Sequence, residues 1–197
     1  MVRVALQISG RLRYTPESIT SIMGSLVETQ KPDIFCSFWN PEKARTLELW
    51  NGYINPTLIE TEDQELVKPY LDLLFPFNVH KNMPSMSYKF HRVNALRQSY
   101  EITNNVKYDY VIQARSDNLF FESLNPIQDI VKDAKGIWCS NSRETPDIDQ
   151  YIKPRMVDNF YLGDTESVNR AATTLWHLRH QAEEYTQRGQ LHHVRIP

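Results

Sequence analysis

The order in which strand and helix signals follow one another constrains this chain most. Val2, Val4, Leu6 and Ile8 alternate with Arg3, Ala5 and Gln7, the period of a strand, which is expected to end at Ser9-Gly10. Thr15-Pro16-Glu17 then supplies an N-cap, a proline at the first helical position and an early acid. Ile19, Ile22, Met23, Leu26 and Val27 continue at helical spacing until Pro32 stops them. DIFCSFW, residues 33–39, is a second short apolar strand. A strand, a helix and another strand in succession predict parallel pairing, because parallel neighbours need a crossover connection.

The same alternation runs on. Asn40-Pro41 can cap a helix through Leu47 and Trp50, and a weaker strand follows near residues 57–60. FPFNVHKNMP, residues 75–84, has two prolines and no period, so it reads as a loop. Met86, Phe90, Val93, Leu96 and Tyr100 mark a long helix that leads through Asn104-Asn105 into a strand over residues 108–113. Asn125-Pro126 opens a further helix containing Ile127, Ile130 and Val131, GIWC at 136–139 is a strand, and residues 141–154 are polar and irregular. VDNFYL, residues 157–162, reads as a strand or the floor of a pocket. Val168, Ala171, Ala172, Leu175, Leu178, Ala182 and Tyr185 give a last helix. The expected fold class is α/β, a mostly parallel sheet with helices on both faces, in one domain spanning residues 1–197.

Composition narrows the function classes. A chain of 197 residues fits one domain with a substantial core. With a net charge of -2 and basic residues scattered along the sequence, it has no electrostatic footprint for a nucleic acid. Cys36 and Cys139 both lie in apolar strand-like runs without CxxC spacing, which predicts buried free thiols in a reducing compartment. No stretch approaches the length of a membrane span, and MVRVALQI lacks the long apolar h-region and cleavage site expected of a signal peptide. The expectation is a soluble, cytoplasmic protein, either free or peripheral to a membrane.

In open sheets of this class ligands bind outside the carboxyl ends of the strands. Ser9-Gly10-Arg11, Trp39-Asn40 and Arg115-Ser116-Asp117 each follow a predicted strand, so parallel strands would bring them to one edge. Arg11, Arg13 and Arg115 can grip phosphate oxygens with a planar fork, and Gly10 would let backbone approach a diphosphate. Asp117 can hold a hard divalent cation, manganese or magnesium, that also takes phosphate oxygens. Trp39, just after a strand, offers a ring face to a base or sugar, with Tyr88, Phe160 and Tyr161 as further aromatics of the candidate segments. Each feature also has a structural reading: solvated loop charges, an ordinary turn, a local ion pair of small value, core aromatics. Their coincidence at strand ends favours the functional one.

Other chemistries lack their residues. The sequence contains no GxxxxGK[ST] loop, no GxGxxG after the first strand and no HExxH. His192-His193 has the wrong spacing for two ligands on one helical face, and Ser9 has no evident His and Asp partners for acyl transfer.

The run ISGRLR, DIFCSFW, MSYKFHRVNALRQSYEITNNVKYDYVIQARSDNLFF and VDNFYLGD resembles a loosely related group of small glycosyltransferases. These are the glycosyltransferase-like proteins of surface polysaccharide synthesis, similar to the WavE type, found in bacteria, phages and large viruses. The resemblance covers roughly residues 2–166, and YDYVIQARSDNLFF with the helix before it is its most specific part.

The resemblance implies a Rossmann-like, GT-A type sheet, a nucleotide-sugar donor at the strand ends, a glycan or other hydroxyl acceptor, and ARSDN in the place of a DxD metal motif. Arg115 stands where the first acid of that motif would be, leaving Asp117 to hold the metal or Arg115 itself to neutralise the diphosphate. The donor-binding set is then Ser9, Gly10, Arg11, Arg13, Trp39 and Arg115. Asp158 resembles the acid of the family's D-x-F-x-x-G segment and is the expected general base, with Asp147 and Asp149 behind it. A non-catalytic nucleotide-sugar or carbohydrate-binding module on the same fold is the alternative.

Overall fold

The computed structural model describes residues 2–13, 15–41, 44–75, 83–121, 136–139 and 160–173. One sheet organises them, with strand order β3-β2-β1-β4-β6-β5. Its strands are β1 (Val4–Arg11), β2 (Asp33–Trp39), β3 (Leu58–Glu62), β4 (Tyr110–Ala114), β5 (Ile137–Cys139) and β6 (Phe160–Asp164). β3, β2, β1 and β4 are parallel neighbours, whereas β6 runs antiparallel to both β4 and β5. The protein is therefore α/β with a mostly parallel sheet.

Helices cover both faces. α1 (Pro16–Ile22) passes through a π-helical stretch (Met23–Val27) into α2 (Glu28–Gln30), and Thr15 caps it by accepting from the Ser18 amide at 3.1 Å. Ile19, Ile22 and Leu26 from this segment, with Trp50 and Ile54 of α3 (Ala44–Ile54), pack on Leu6, Ile8, Cys36, Phe38 and Ile112. α5 (Met83–Asn104) and α6 (Thr165–Ala172) cover the opposite face, where Val93 and Val168 meet Ala5, Phe35, Val111 and Tyr161. Each fully buried aliphatic or Phe side chain of this kind contributes on the order of 1.5–3 kcal/mol.

Three differences from the sequence expectation matter. β1 does not stop at Ser9-Gly10 but continues to Arg11, because the ladder to β2 pairs Ser9 with Ser37, Gly10 with Phe38 and Arg11 with Trp39. A helix, α4 (Gln64–Leu74), stands between β3 and the expected loop, started by Asp63 accepting from the Glu65 amide at 2.9 Å. Its Leu66 and Leu73 face solvent, which blurs the apolar period. β6, described from Phe160 to Asp164, continues past the predicted end at residue 162 and runs against its neighbour β4, while residues 157–159 of the prediction lie outside the described residues. The expected helix after Asn125-Pro126 lies outside the described residues, as does the continuation of the last helix beyond residue 173.

The α5 face of the sheet is apolar towards its far end and polar towards the carboxyl edge. There Gln7, Ser9, Ser37 and Gln113 are all buried, and Lys89 of α5 lies against them fully covered. Parallel strands deliver the ends of β1, β2, β3 and β4 to this one edge.

Candidate functional site

The segment after β4 folds back across the end of β1. Ser116 is the clamp: its hydroxyl donates to the Arg11 carbonyl at 2.9 Å and accepts from the Arg13 amide at 3.0 Å. Asn118 closes the turn on itself, its Oδ1 accepting from the Arg115 amide at 2.6 Å and its amide donating to the Arg115 carbonyl at 3.3 Å. Ser21 of α1 holds the segment that follows through the Phe120 backbone. Residues widely separated in sequence thus meet at one corner.

That corner holds three guanidinium groups and one carboxylate. Arg115 Nε and one of its terminal nitrogens grip the two Asp117 oxygens, each at 2.8 Å, while Arg13 donates to Asp117 Oδ2 at 2.7 Å. Burial pushes the Asp117 carboxyl up, but hydrogen bonds and charge from Arg115, then from Arg13, outweigh it and hold the group below the usual carboxylate range. Arg11 turns towards α4 and donates to Gln64 Oε1 at 3.5 Å. Among the described residues, three cations meet one anion here, a formal surplus of two positive charges. Arg11 and Arg13 are exposed, so the surplus faces solvent.

Next to it lies a second charged cluster that sequence reasoning missed. Glu60 and Glu62 of β3 meet Lys89 and Arg92 of α5. Arg92 grips Glu60 with Nε at 3.2 Å and a terminal nitrogen at 2.7 Å; Lys89 donates to Glu62 Oε2 at 2.7 Å and to Ser37 Oγ at 3.4 Å. Burial lowers the Lys89 pKa more than Glu62 raises it. Burial also pushes the Glu62 carboxyl up, yet Lys89, Tyr88 and Arg92 together carry it below its ordinary value. The Tyr88 hydroxyl, donating to Glu62 Oε1 at 3.0 Å, is pushed up to about 12 by burial and that hydrogen bond.

Trp39 belongs to this cluster. Its ring stacks on Tyr88, centroids 5.6 Å apart and 11° from parallel, with the Lys89 ammonium 4.4 Å from its centroid. At 4% exposure the ring is an internal contact of the cluster, and it offers no open face to a base or sugar. Register links the two clusters, since Arg11 is the ladder partner of Trp39 and Trp39 that of Glu62.

The remaining expected residues are readily placed. Ser9 is buried at the edge and accepts from Gln113 Nε2 at 2.8 Å. Gly10 has φ 110°, a conformation that side chains with a Cβ rarely adopt, and a Cβ built there meets nothing within 4 Å. The structure therefore brings Ser9, Gly10, Arg11, Arg13, Trp39, Arg115 and Asp117 to one edge. Asp158, Asp147, Asp149 and His192-His193 lie outside the described residues. The available signal for the second cluster was Lys89 four residues before Val93, a charge on the helical face expected to be apolar, and it is fully buried there.

Divalent cations take oxygen ligands that are not already spent. Both Asp117 oxygens accept from guanidinium, and no group of three or more His, Cys, Asp or Glu placed to hold a metal occurs among the described residues. As placed, the Asp117 carboxylate is taken up by Arg13 and Arg115, and the described guanidinium groups beside it suit an anion.

No family model matches the chain, and no curated protein does. Among solved structures it is similar to mouse xyloside xylosyltransferase 1 in its apo form, at 13% identity over 94% of this chain and 76% of that one, with a TM-score of 0.41. No described helix is long and apolar enough to cross a membrane.

Proposed function

We propose that this chain is a nucleotide-sugar-dependent glycosyltransferase that moves a sugar from its donor to a hydroxyl of a glycan or related acceptor. The observation that carries the reading is the convergence of Arg11, Arg13 and Arg115 at the carboxyl ends of parallel β1 and β4, where α/β sheets take their ligands. Planar guanidinium forks suit a diphosphate.

In this reading the acceptor oxygen attacks the anomeric carbon, the bond from that carbon to the diphosphate oxygen breaks, and the nucleoside diphosphate leaves with the electron pair. The guanidinium groups stabilise the charge that grows on it, doing by fixed cations what a metal would do elsewhere. Asp117 orients Arg13 and Arg115 for that contact. Asp158 is proposed to take the acceptor's proton, on its motif alone. The setting is proposed to be cytoplasmic, as expected for free thiols.

The test is a thermal-shift screen of UDP-, GDP- and dTDP-linked sugars, each with manganese and with chelator, followed by assay of donor hydrolysis and transfer. A donor that binds the native state raises the melting temperature. Stabilisation with slow hydrolysis supports the enzyme; stabilisation without any turnover identifies a binding module. A response that requires manganese and disappears in Asp117→Asn would give Asp117 back to a metal. No response to any donor ends the reading.

A further inference from the structure

Among the serines that meet at the edge, Ser9 stands apart. Ser116 both donates and accepts, to Arg11 and from Arg13, and Ser37 donates to Glu60 at 2.7 Å while accepting from Lys89. Ser9 accepts from Gln113 Nε2, and its own proton has no acceptor among the described residues. The orientation of the Gln113 amide is not arbitrary, because the same Nε2 donates to the Ala114 carbonyl at 3.2 Å, which a carbonyl oxygen turned into that place could not do.

This orientation leaves Gln113 Oε1 buried with no donor, and Gln7 Oε1 is in the same condition. Gln7 and Gln113 are ladder partners on β1 and β4, so both carbonyls lie on the α5 side of adjacent strands. Buried acceptors without partners are costly, and they mark places where a donor is missing. One oxygen can serve Ser9 and Gln113 together. The amide bonds, about 1.2 and 1.3 Å long, added to the 2.8 Å contact keep Gln113 Oε1 within roughly 5.4 Å of Ser9 Oγ. Two O–H···O hydrogen bonds of about 2.8 Å span that separation through one bridging atom.

We infer that Ser9 and Gln113, with Gln7 behind them, form a hydroxyl-binding subsite at the inner wall of the strand-end corner, taking an oxygen that accepts from Ser9 and donates to Gln113. Water and a carbohydrate hydroxyl share that chemistry. Water fills the place in the free protein, and a hydroxyl of the donor sugar displaces it when the diphosphate is held by the arginines beside it. The second half rests on the glycosyltransferase reading; the first does not.

The experiment has two arms. A high-resolution crystal structure of the free protein should show an ordered oxygen within hydrogen-bond distance of both Ser9 Oγ and Gln113 Oε1; an empty place, or a Gln113 amide turned to satisfy itself, overturns the subsite. Titration calorimetry then compares UDP with the UDP-sugars of the screen, or the corresponding pair for another base, in wild type, Ser9→Ala and Gln113→Met. Both variants should bind the sugar nucleotide about fivefold more weakly and the bare diphosphate unchanged. Ser9→Ala removes one small group, so it stands if Gln113→Met does not fold. An equal loss for both ligands makes Ser9 a phosphate contact and overturns the sugar subsite. If no sugar nucleotide binds at all, the functional reading and the sugar half fall, while the ordered oxygen still decides the hydroxyl subsite.

Discussion

Replacing Lys89 by methionine keeps most of its volume and removes a fully buried ammonium. Glu62 then loses a 2.7 Å partner, Ser37 a 3.4 Å one, and Trp39 the cation 4.4 Å from its ring. Removing one member of a buried ion pair ordinarily costs about 3–5 kcal/mol, because the other is left as an uncompensated charge. Here the cost is smaller: the Glu62 side chain is 25% exposed, keeps the Tyr88 hydroxyl at 3.0 Å and retains Arg92 Nε at 3.7 Å. We expect about 2 kcal/mol for Lys89→Met, a fall of roughly 4–8 °C in melting temperature for a domain of this size. Glu62→Gln in the same background should recover at least ~1 kcal/mol, since it removes the stranded charge. Urea unfolding of wild type, both single variants and the double variant measures the coupling. Strictly additive losses, or a Lys89→Met protein as stable as wild type, would refute the reasoning.

Two further predictions concern stability. The carboxyls of Asp117 and Glu62 are held below their ordinary values, so their contribution is present above the unfolded-state pKa near ~4 and is lost as pH falls through the folded values. Melting temperature should therefore drop steeply below about pH 4, less so in Asp117→Asn and Glu62→Gln; identical acid slopes in all three proteins would rule this out. Gly10→Ala meets no atom but must adopt φ 110°, which should cost on the order of 1–3 kcal/mol in chemical denaturation, and an unchanged midpoint would mean the strand end does not hold that conformation.

How much was legible in the sequence depended on whether local chemistry decided the outcome. DIFCSFW reads as a strand and is one from Asp33 to Trp39, because an apolar run bounded by prolines leaves few alternatives. The Thr15-Pro16 start is equally local. Convergence of Arg11, Arg13 and Asp117 was also legible, since parallel strands share their carboxyl edge whatever their spacing in sequence. Two kinds of feature were not. The extension of β1 to Arg11 and the reversed direction of β6 are set by the neighbouring strand, which no local window contains. The cluster of Glu60, Glu62, Lys89 and Arg92 needs two elements to meet, and each of its charges looks solvated when its partner is unknown. Asp117 shows the same effect: an acid that invites a cation by sequence is found between two guanidinium groups.

The most direct test of the account is calorimetric titration of the nucleotide sugar that stabilises the wild-type protein into Arg11→Ala, Arg13→Ala and Arg115→Ala. Loss of one charge-assisted contact to the diphosphate costs about 1.5–3 kcal/mol, so each variant should bind roughly tenfold to more than a hundredfold more weakly, with its far-ultraviolet spectrum unchanged. Affinities equal to wild type in all three variants would contradict the claim that this strand-end corner holds the donor.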